Sequence, residues 1–328
     1  FLKKNKNKKI KIFNNYKNFN KIFKCKIDYT MSALSSFNGL QPTLDIIKFT
    51  KVIAIANKEA IICGWNLIKK NLTKYKTNFI PVDSEHFSIW SLIKNNNNKI
   101  DKVYITASGG PFLNIKKSRL IKIKPKDAIK HPNWSMGKKI SIDSATLVNK
   151  IFEIIEAKKI FNLNMNDFEI LLHPDSYVHA IVKFKNGLTK ILIHDTDMKI
   201  PIFNSIYYNT NKTIASTPLN FKKINNLKLE NVNIKQFETV GILKYLSNNK
   251  DTLYETVLVS ANDQLVDLFL NKKINFLDIS KKLIMIMKLE EFKKLRSRKP
   301  LNFNQISNLN KYVRLKTRTL CVRSVHNE

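Results

Sequence analysis

The sequence predicts an α/β protein that ends in a helical domain. Three observations carry that expectation. Between residues 51 and 110, β-branched apolar runs alternate with segments of helical spacing, the pattern of strands joined by crossover helices. From about Glu238 onward the apolar period is helical alone. The 328 residues are 43% hydrophobic, enough for two or three small domains around a sizeable core.

In chain order, "KVIAIANKEAII" (51–62) reads as a buried strand running into a helix start at Asn57, with helical spacing from Ala60 to Asn71. "NFIPVD" (78–83) is a second strand and "KVYITASGG" (102–110) a third, so a largely parallel sheet is expected. Ligands of such sheets bind beyond the carboxyl ends of the strands, where Asn57, Asp83 and Ser108 lie. "HPNWSMGKK" (131–139) reads as a loop, and the spacing then predicts a helix from about Ser144 to Phe161. Strand signals return in "FEILLHPDSYVHAIVKF" and "TKILIHD", followed by an irregular linker, "NTNKTIASTPLNFKKINN". "TLYETVLVSANDQLVDLFLNKK" and "FLDISKKLIMIMKLEEF" are the clearest late helices.

The formal charge of +33, from 58 Lys and Arg against 25 Asp and Glu, raises nucleic-acid binding. Only six of those bases are Arg, whose planar fork reads base edges, and the Lys are spread through every segment with Asn and Ile. With no recognisable binding motif, no nucleic-acid partner is expected. No apolar run is long enough to span a bilayer, so a soluble chain with no membrane partner is expected. Cys25, Cys63 and Cys321 are odd in number and far apart, which fits a reducing compartment. The opening Lys/Asn run has neither the apolar core of a secretory signal nor the Arg/Ser bias of a transit peptide, and a disordered start is expected.

Several residue groups carry chemistry. Asp83 and Glu85, at i and i+2 on an extended strand end, project to one side and repel unless a proton or cation intervenes. On their own they fit a solvated strand end as well as half of a metal site. With a third carboxylate such as Glu153 they make a hard, all-oxygen site suited to Mg²⁺ or Mn²⁺. Ser144 as N-cap leaves free N–H groups at a helix start, a phosphate cradle. Asn149, Glu153 and Glu156 form one polar stripe with Lys150 on its flank, which for an isolated helix reads first as an exposed amphipathic face. Ser108-Gly109-Gly110 is a turn able to approach an anion. "HPNWSMG" has the mixture of a lid that closes over a substrate, while His131 alone also fits a surface histidine. His173 and His179, on apolar segments, read as structural.

The ordered set "ANKEA", "PVDSEH", "SGGPF", "HPNWSMGKKISIDSATLVNK" and "EIIEA" resembles the 1-deoxy-D-xylulose 5-phosphate reductoisomerases of the non-mevalonate isoprenoid pathway, over roughly Met31 to Leu289. "HDTDMKIPI" resembles the family's Asp-Met segment near the nicotinamide, and "SANDQ" and "FLDIS" its helical C-terminal region, with Asp263 where Glu is usual. The resemblance implies an NADPH-dependent oxidoreductase that isomerises and reduces 1-deoxy-D-xylulose 5-phosphate to 2-C-methyl-D-erythritol 4-phosphate. It implies Asp83, Glu85 and Glu153 as ligands of Mn²⁺, Mg²⁺ or another divalent cation. Ser84 and Lys150 would hold the hydroxyl and carbonyl end of the phosphosugar with Lys58 close by, and Lys58, Glu85, Lys150 and Glu153 would form the catalytic set. Ser108, His131, Ser144 and Asn149 would hold the phosphate, Asn57, Glu59 and Gly137 would lie on the NADPH side, and Trp134 and Met136 would form the flap. A homodimer in a bacterial cytoplasm, rather than a plastid-type compartment, is implied as well.

The family's Gly-rich G-x-T-G-x-x-G turn is not made by any of the seven glycines (39, 64, 109, 110, 137, 187 and 241). The resemblance therefore implies an incomplete Rossmann-like NADPH domain at 31–82, after a low-complexity Lys/Asn segment at 1–30. An α+β catalytic domain with the flap loop (83–208), a linker (209–237) and a helical C-terminal domain (238–328) follow. Residues after about Glu290 are expected to match the family poorly. The alternative reading is a partial, impaired remnant that binds metal and phosphosugar.

Overall fold

A computed structural model describes residues 10–13, 18–134, 136–248 and 251–322. A short helix α1 (Phe19–Ile22) leads to strand β1 (Ile27–Ser32), then α2 (Leu40–Ile46), β2 (Thr50–Ile55), α3 (Lys58–Lys74) and β3 (Asn78–Pro81). The three strands pair in parallel in that order, with Ser32 beside Ile55 and Ile55 beside Pro81, so their carboxyl ends align. The segment expected to be a disordered low-complexity start thus contributes a strand from Ile27. Phe19 and Phe23 pack on Phe49 at ring distances of 6.3 and 6.0 Å. The expectation for residues 1–9 and 14–17 lies outside the described residues.

Helix α4 (Ser84–Ile93) leads into β4 (Ile100–Ala107), which does not extend the first sheet as expected. It sits at the centre of a second sheet with β5 (Phe168–Leu172), β6 (Val178–Phe184), β7 (Thr189–Ile193) and β8 (Glu230–Asn231), in the order β7-β6-β4-β5-β8. This sheet is mixed: β4 and β5 are parallel, whereas β6 runs antiparallel to β4 and β7, and β8 to β5. Alternation marks which residues are extended; the partners that decide the sheet come 60 to 130 residues later. The expected linker is not wholly irregular, since β8 within it closes one sheet edge.

Between β4 and β5 lie α5 (Lys117–Leu120), α6 (Pro125–Ala128), α7 (Lys138–Ala145) and α8 (Val148–Phe161). The helix expected from Ser144 is therefore two helices, and Ser144 is in the last turn of the first rather than an N-cap. Thr146 returns its hydroxyl to the Ile142 carbonyl at 3.1 Å, and Leu147 turns left-handed at φ 58°. The apolar period runs through this break, which is why spacing alone missed it. Nor is α8 amphipathic with an exposed face: Val148 through Lys159 are all buried.

After α9 (Lys199–Ile206) and α10 (Phe221–Asn225), the C-terminal region packs α11 (Leu253–Leu270), α12 (Phe276–Met287), α13 (Glu290–Lys293) and α14 (Phe303–Val322). It joins α8 through ion pairs in the interior. Lys158 Nζ lies 3.0 Å from Glu255 Oε1, and Lys159 Nζ lies 3.0 Å from Asp251 Oδ1 and 2.5 Å from Glu255 Oε2. Removing one member would strand an uncompensated buried charge, so these pairs fix how α8 sits.

Candidate active site

Residues that follow β2, β3 and β4 meet in one cavity of about 210 Å³, so the site lies between the two sheets. Asp83 occupies the N-cap position of α4, and its backbone has left the extended strand expected for it. Its carboxylate makes no capping bond and faces Lys58 Nζ at 2.9 Å and His86 Nδ1 at 3.0 Å instead. Glu85, in the first turn, and Glu153, on α8, complete the cluster: one carboxylate oxygen from each of the three lies within 4.8 Å of the others. Two ammonium groups stand among them. Lys150 Nζ is 2.6 Å from Glu85 Oε1 and 2.5 Å from Glu153 Oε2, and Lys58 Nζ is 3.4 Å from Glu153 Oε1. Burial, reinforced by Glu85, pushes the Glu153 carboxyl up to about 7. Burial also opposes ionisation of Asp83, yet Lys58 and His86 outweigh it and hold Asp83 well below the usual carboxylate range. Three hard oxygen donors that repel one another when the ammonium groups withdraw fit a divalent cation such as Mg²⁺ or Mn²⁺.

A second group, Asp83, His86 and Glu156, adjoins the first. Both ring nitrogens of fully buried His86 face acceptors, Nδ1 toward Asp83 and Nε2 toward the Glu153 carbonyl at 2.8 Å. Burial disfavours the imidazolium, but Glu156 and Asp83 overcome that and lift His86 to about 9. The ring therefore acts as a donor that orients one acidic residue and the backbone of another, leaving no lone pair for a metal.

On the other side of the cavity, His131 Nε2 lies 3.0 Å from Ser108 Oγ and 3.2 Å from Ser144 Oγ. His131 Nδ1 accepts from the backbone N–H groups of Asn133 and Trp134, so its proton is on Nε2. Burial and then Lys150 hold it down to about 4, a neutral ring at pH 7. Ser108 Oγ also accepts from the Gly110 N–H at 3.1 Å, which leaves its own hydroxyl hydrogen free for an anion. Gly109 and Gly110 have φ of +81° and +67°, and a Cβ on Gly110 would stand 2.8 Å from Ala145 Cα. The turn thus needs glycine to reach the end of α7. Asn149 and Lys150 line the same space, Asn149 Oδ1 accepting from Lys58 Nζ at 2.7 Å.

Of the residues singled out in the sequence, Lys58, Asp83, Ser84, Glu85, Ser108, His131, Trp134, Met136, Ser144, Asn149, Lys150 and Glu153 all line this cavity. Asn57, Glu59 and Gly137 do not. Asn57 caps α3 by accepting from the Ala60 N–H and donates to the Ser36 carbonyl; Glu59 pairs with Lys139 at 2.9 Å; Gly137 precedes α7. His173 braces a loop, accepting from the Tyr177 N–H. His179, read as structural, lines the cavity and meets the Trp134 ring edge-on. Thr106 and Ser176 were missed. Ser176, at φ 50° and held by Asn133 Nδ2 at 3.0 Å, sits inside "HPDSYVH", whose two histidines were the stronger signal. Ala56, Met136, Ile140, Val178 and Met198 make part of the wall apolar, as the walls of small-molecule sites commonly are.

Fold and site together define an α/β enzyme with a carboxylate cluster beside an anion pocket. A family model for 1-deoxy-D-xylulose 5-phosphate reductoisomerase matches residues 2–64, and two models of the C-terminal domain of that enzyme match residues 79–161 and 193–316. The reductoisomerase of Pelagibacter ubique is 62% identical over 320 residues, 97% of this chain and 82% of that protein. That of Clostridium tetani is 41% identical over 257 residues, 78% of this chain and 67% of that protein. A crystal structure of DOX-P reductoisomerase with NADPH, fosmidomycin and magnesium superposes with a TM-score of 0.84 at 29% identity, covering 92% of this chain and 77% of that one. The Zymomonas mobilis enzyme in complex with NADPH gives 0.78 at 30% identity, covering 90% and 75%. The chain belongs to the 1-deoxy-D-xylulose 5-phosphate reductoisomerase family. The match reaches beyond the span read from motifs, taking in the Lys/Asn run and the residues from 290 to 316.

Proposed function

We infer that the protein converts 1-deoxy-D-xylulose 5-phosphate to 2-C-methyl-D-erythritol 4-phosphate with NADPH and a divalent cation. The observation that carries this is one cavity holding both the Asp83–Glu85–Glu153 cluster and the Ser108–His131–Ser144 group. Ser108, His131, Ser144 and Asn149 bind the phosphate, with Lys150 contributing charge. That end is remote from the reacting carbons, so its binding energy serves orientation and closure of the Trp134–Met136 flap, which excludes water. Ser84 and Lys150 orient the carbonyl and hydroxyl oxygens, while Asp83, Glu85 and Glu153 hold the cation. A divalent cation there supplies Lewis-acid stabilisation of charge developing on adjacent oxygens, and NADPH supplies the hydride. Asn57, Glu59 and Gly137 act on the NADPH side from behind the wall, through the start of α3 and the hinge of the flap.

The protein acts as a homodimer in a bacterial cytoplasm and binds neither nucleic acid nor membrane. Exposed Leu188 just before β7, Ile191 on it, and Ile202 and Ile206 on α9 support an apolar subunit contact. Free cysteines support a reducing compartment, and among the described residues no helix is long and apolar enough to cross a membrane. The domain division at 31–82, 83–208, 209–237 and 238–328 is retained, with the first sheet reaching back to Ile27. The test is NADPH oxidation by the purified protein with the phosphosugar, with and without Mn²⁺. Absence of cation-dependent oxidation overturns the reading.

A further inference from the structure

His194, just after β7, lies face to face with His179, the ring centroids 3.6 Å apart and the planes 14° apart. Its carbonyl takes the His179 Nε2–H at 3.1 Å, so His179 keeps a bare Nδ1. His194 Nδ1 donates to the Asp195 carbonyl at 2.6 Å, which leaves its Nε2 bare too, buried and without a partner. The two rings differ in position: His179 lines the cavity, and His194 lies behind it. On the cavity side the Trp134 ring meets His179 edge-on, with centroids 6.0 Å apart. A side chain outside the cavity lining thus holds one face of a ring that is part of it.

We propose that His194 is a positioning residue. Stacked behind His179, it fixes the orientation in which that ring offers its bare Nδ1 to a hydroxyl of the bound phosphosugar and its edge to the flap tryptophan. The inference rests on the reading of the cavity as a phosphosugar site. Truncation to Ala keeps the carbonyl acceptor and removes both the stacked face and the Nδ1–H bond to the Asp195 carbonyl, whereas Phe restores the aromatic face without that bond, so the two variants separate stacking from hydrogen bonding.

Steady-state kinetics with 1-deoxy-D-xylulose 5-phosphate separates the outcomes. His194→Ala is expected to raise KM by about three- to tenfold, the worth of one aromatic pair, with kcat close to wild type. His194→Phe is expected to restore KM. A wild-type KM in His194→Ala overturns the inference, including where only the unfolding temperature falls, and so does a His194→Phe variant as impaired as His194→Ala. No turnover by the wild-type protein removes the phosphosugar reading itself, and the inference with it.

Discussion

Lys58 Nζ lies 2.9 Å from Asp83 Oδ2, joining the first turn of α3 to the N-cap of α4 inside the carboxylate cluster. Burial works against the ammonium, but Asp83, Glu153 and Glu156 raise its pKa well above the ordinary value. Lys58 therefore occupies the charge-neutralising role that a cation shares when bound. Lys58→Met is expected to destabilise the metal-free protein by roughly 3–5 kcal/mol, the cost of breaking a buried pair. Mn²⁺ should then raise the unfolding temperature of the variant more than that of wild type, as scanning calorimetry would show. An equal Mn²⁺ shift in both proteins would contradict this role.

Glu153 shares its two oxygens between Lys150 and Lys58 and lies close to Asp83 and Glu85. Glu153→Gln keeps the shape and removes the charge that a cation needs. Cation-dependent turnover is expected to vanish while NADPH affinity, read by fluorescence titration, stays near wild type. Retained turnover would take Glu153 out of the metal set.

Ser144 and Ser108 flank one imidazole N–H. A hydrogen bond to a charged phosphate contributes roughly 1.5–3 kcal/mol, so either serine changed to Ala should raise KM about tenfold or more, with a smaller effect on kcat. An unaltered KM in both variants would remove the phosphate assignment.

Gly110→Ala tests the turn itself. The left-handed φ and the 2.8 Å approach to Ala145 Cα both oppose a side chain. A loss of about 1–3 kcal/mol in chemical denaturation is expected, together with weakened substrate binding. Wild-type stability would show that α7 can retreat from the turn.

Acid should act through His179. Burial and then His194 hold its pKa down to about 3 from an ordinary 6.5. The unfolded chain binds the proton first, so this contribution is fully present above about 6.5 and is lost as pH falls toward about 3. Wild type is therefore expected to lose stability relative to His179→Phe across that window, measured by urea denaturation at stepped pH. Parallel curves would mean that His179 is not held neutral by the fold.

Much of the cavity was legible because its residues sit in short, chemically dense segments. Asp83, Ser84 and Glu85 share one turn, and Asn149, Lys150 and Glu153 share one face of α8. Two of them reach the cavity from other local structures than spacing predicts. Ser144 is not an N-cap, and Asp83 is not on a strand. The backbone changes direction at Leu147, with φ of 58° between α7 and α8, and between Pro81 at the end of β3 and Ser84 at the start of α4.

The sequence by itself determined most of the longer extended and helical segments and which residues carry charge, since periods of 2 and 3.6 and side-chain chemistry are local properties. Only the tertiary structure decided that β4 belongs to a second sheet, that α8 is buried on every side, and that His179 lines the cavity while His86 and His194 stand outside its lining. Those outcomes depend on pairing and packing between residues tens to hundreds of positions apart. A local pattern can require a partner for a buried carboxylate, but folding alone selects which imidazole or ammonium stands beside it.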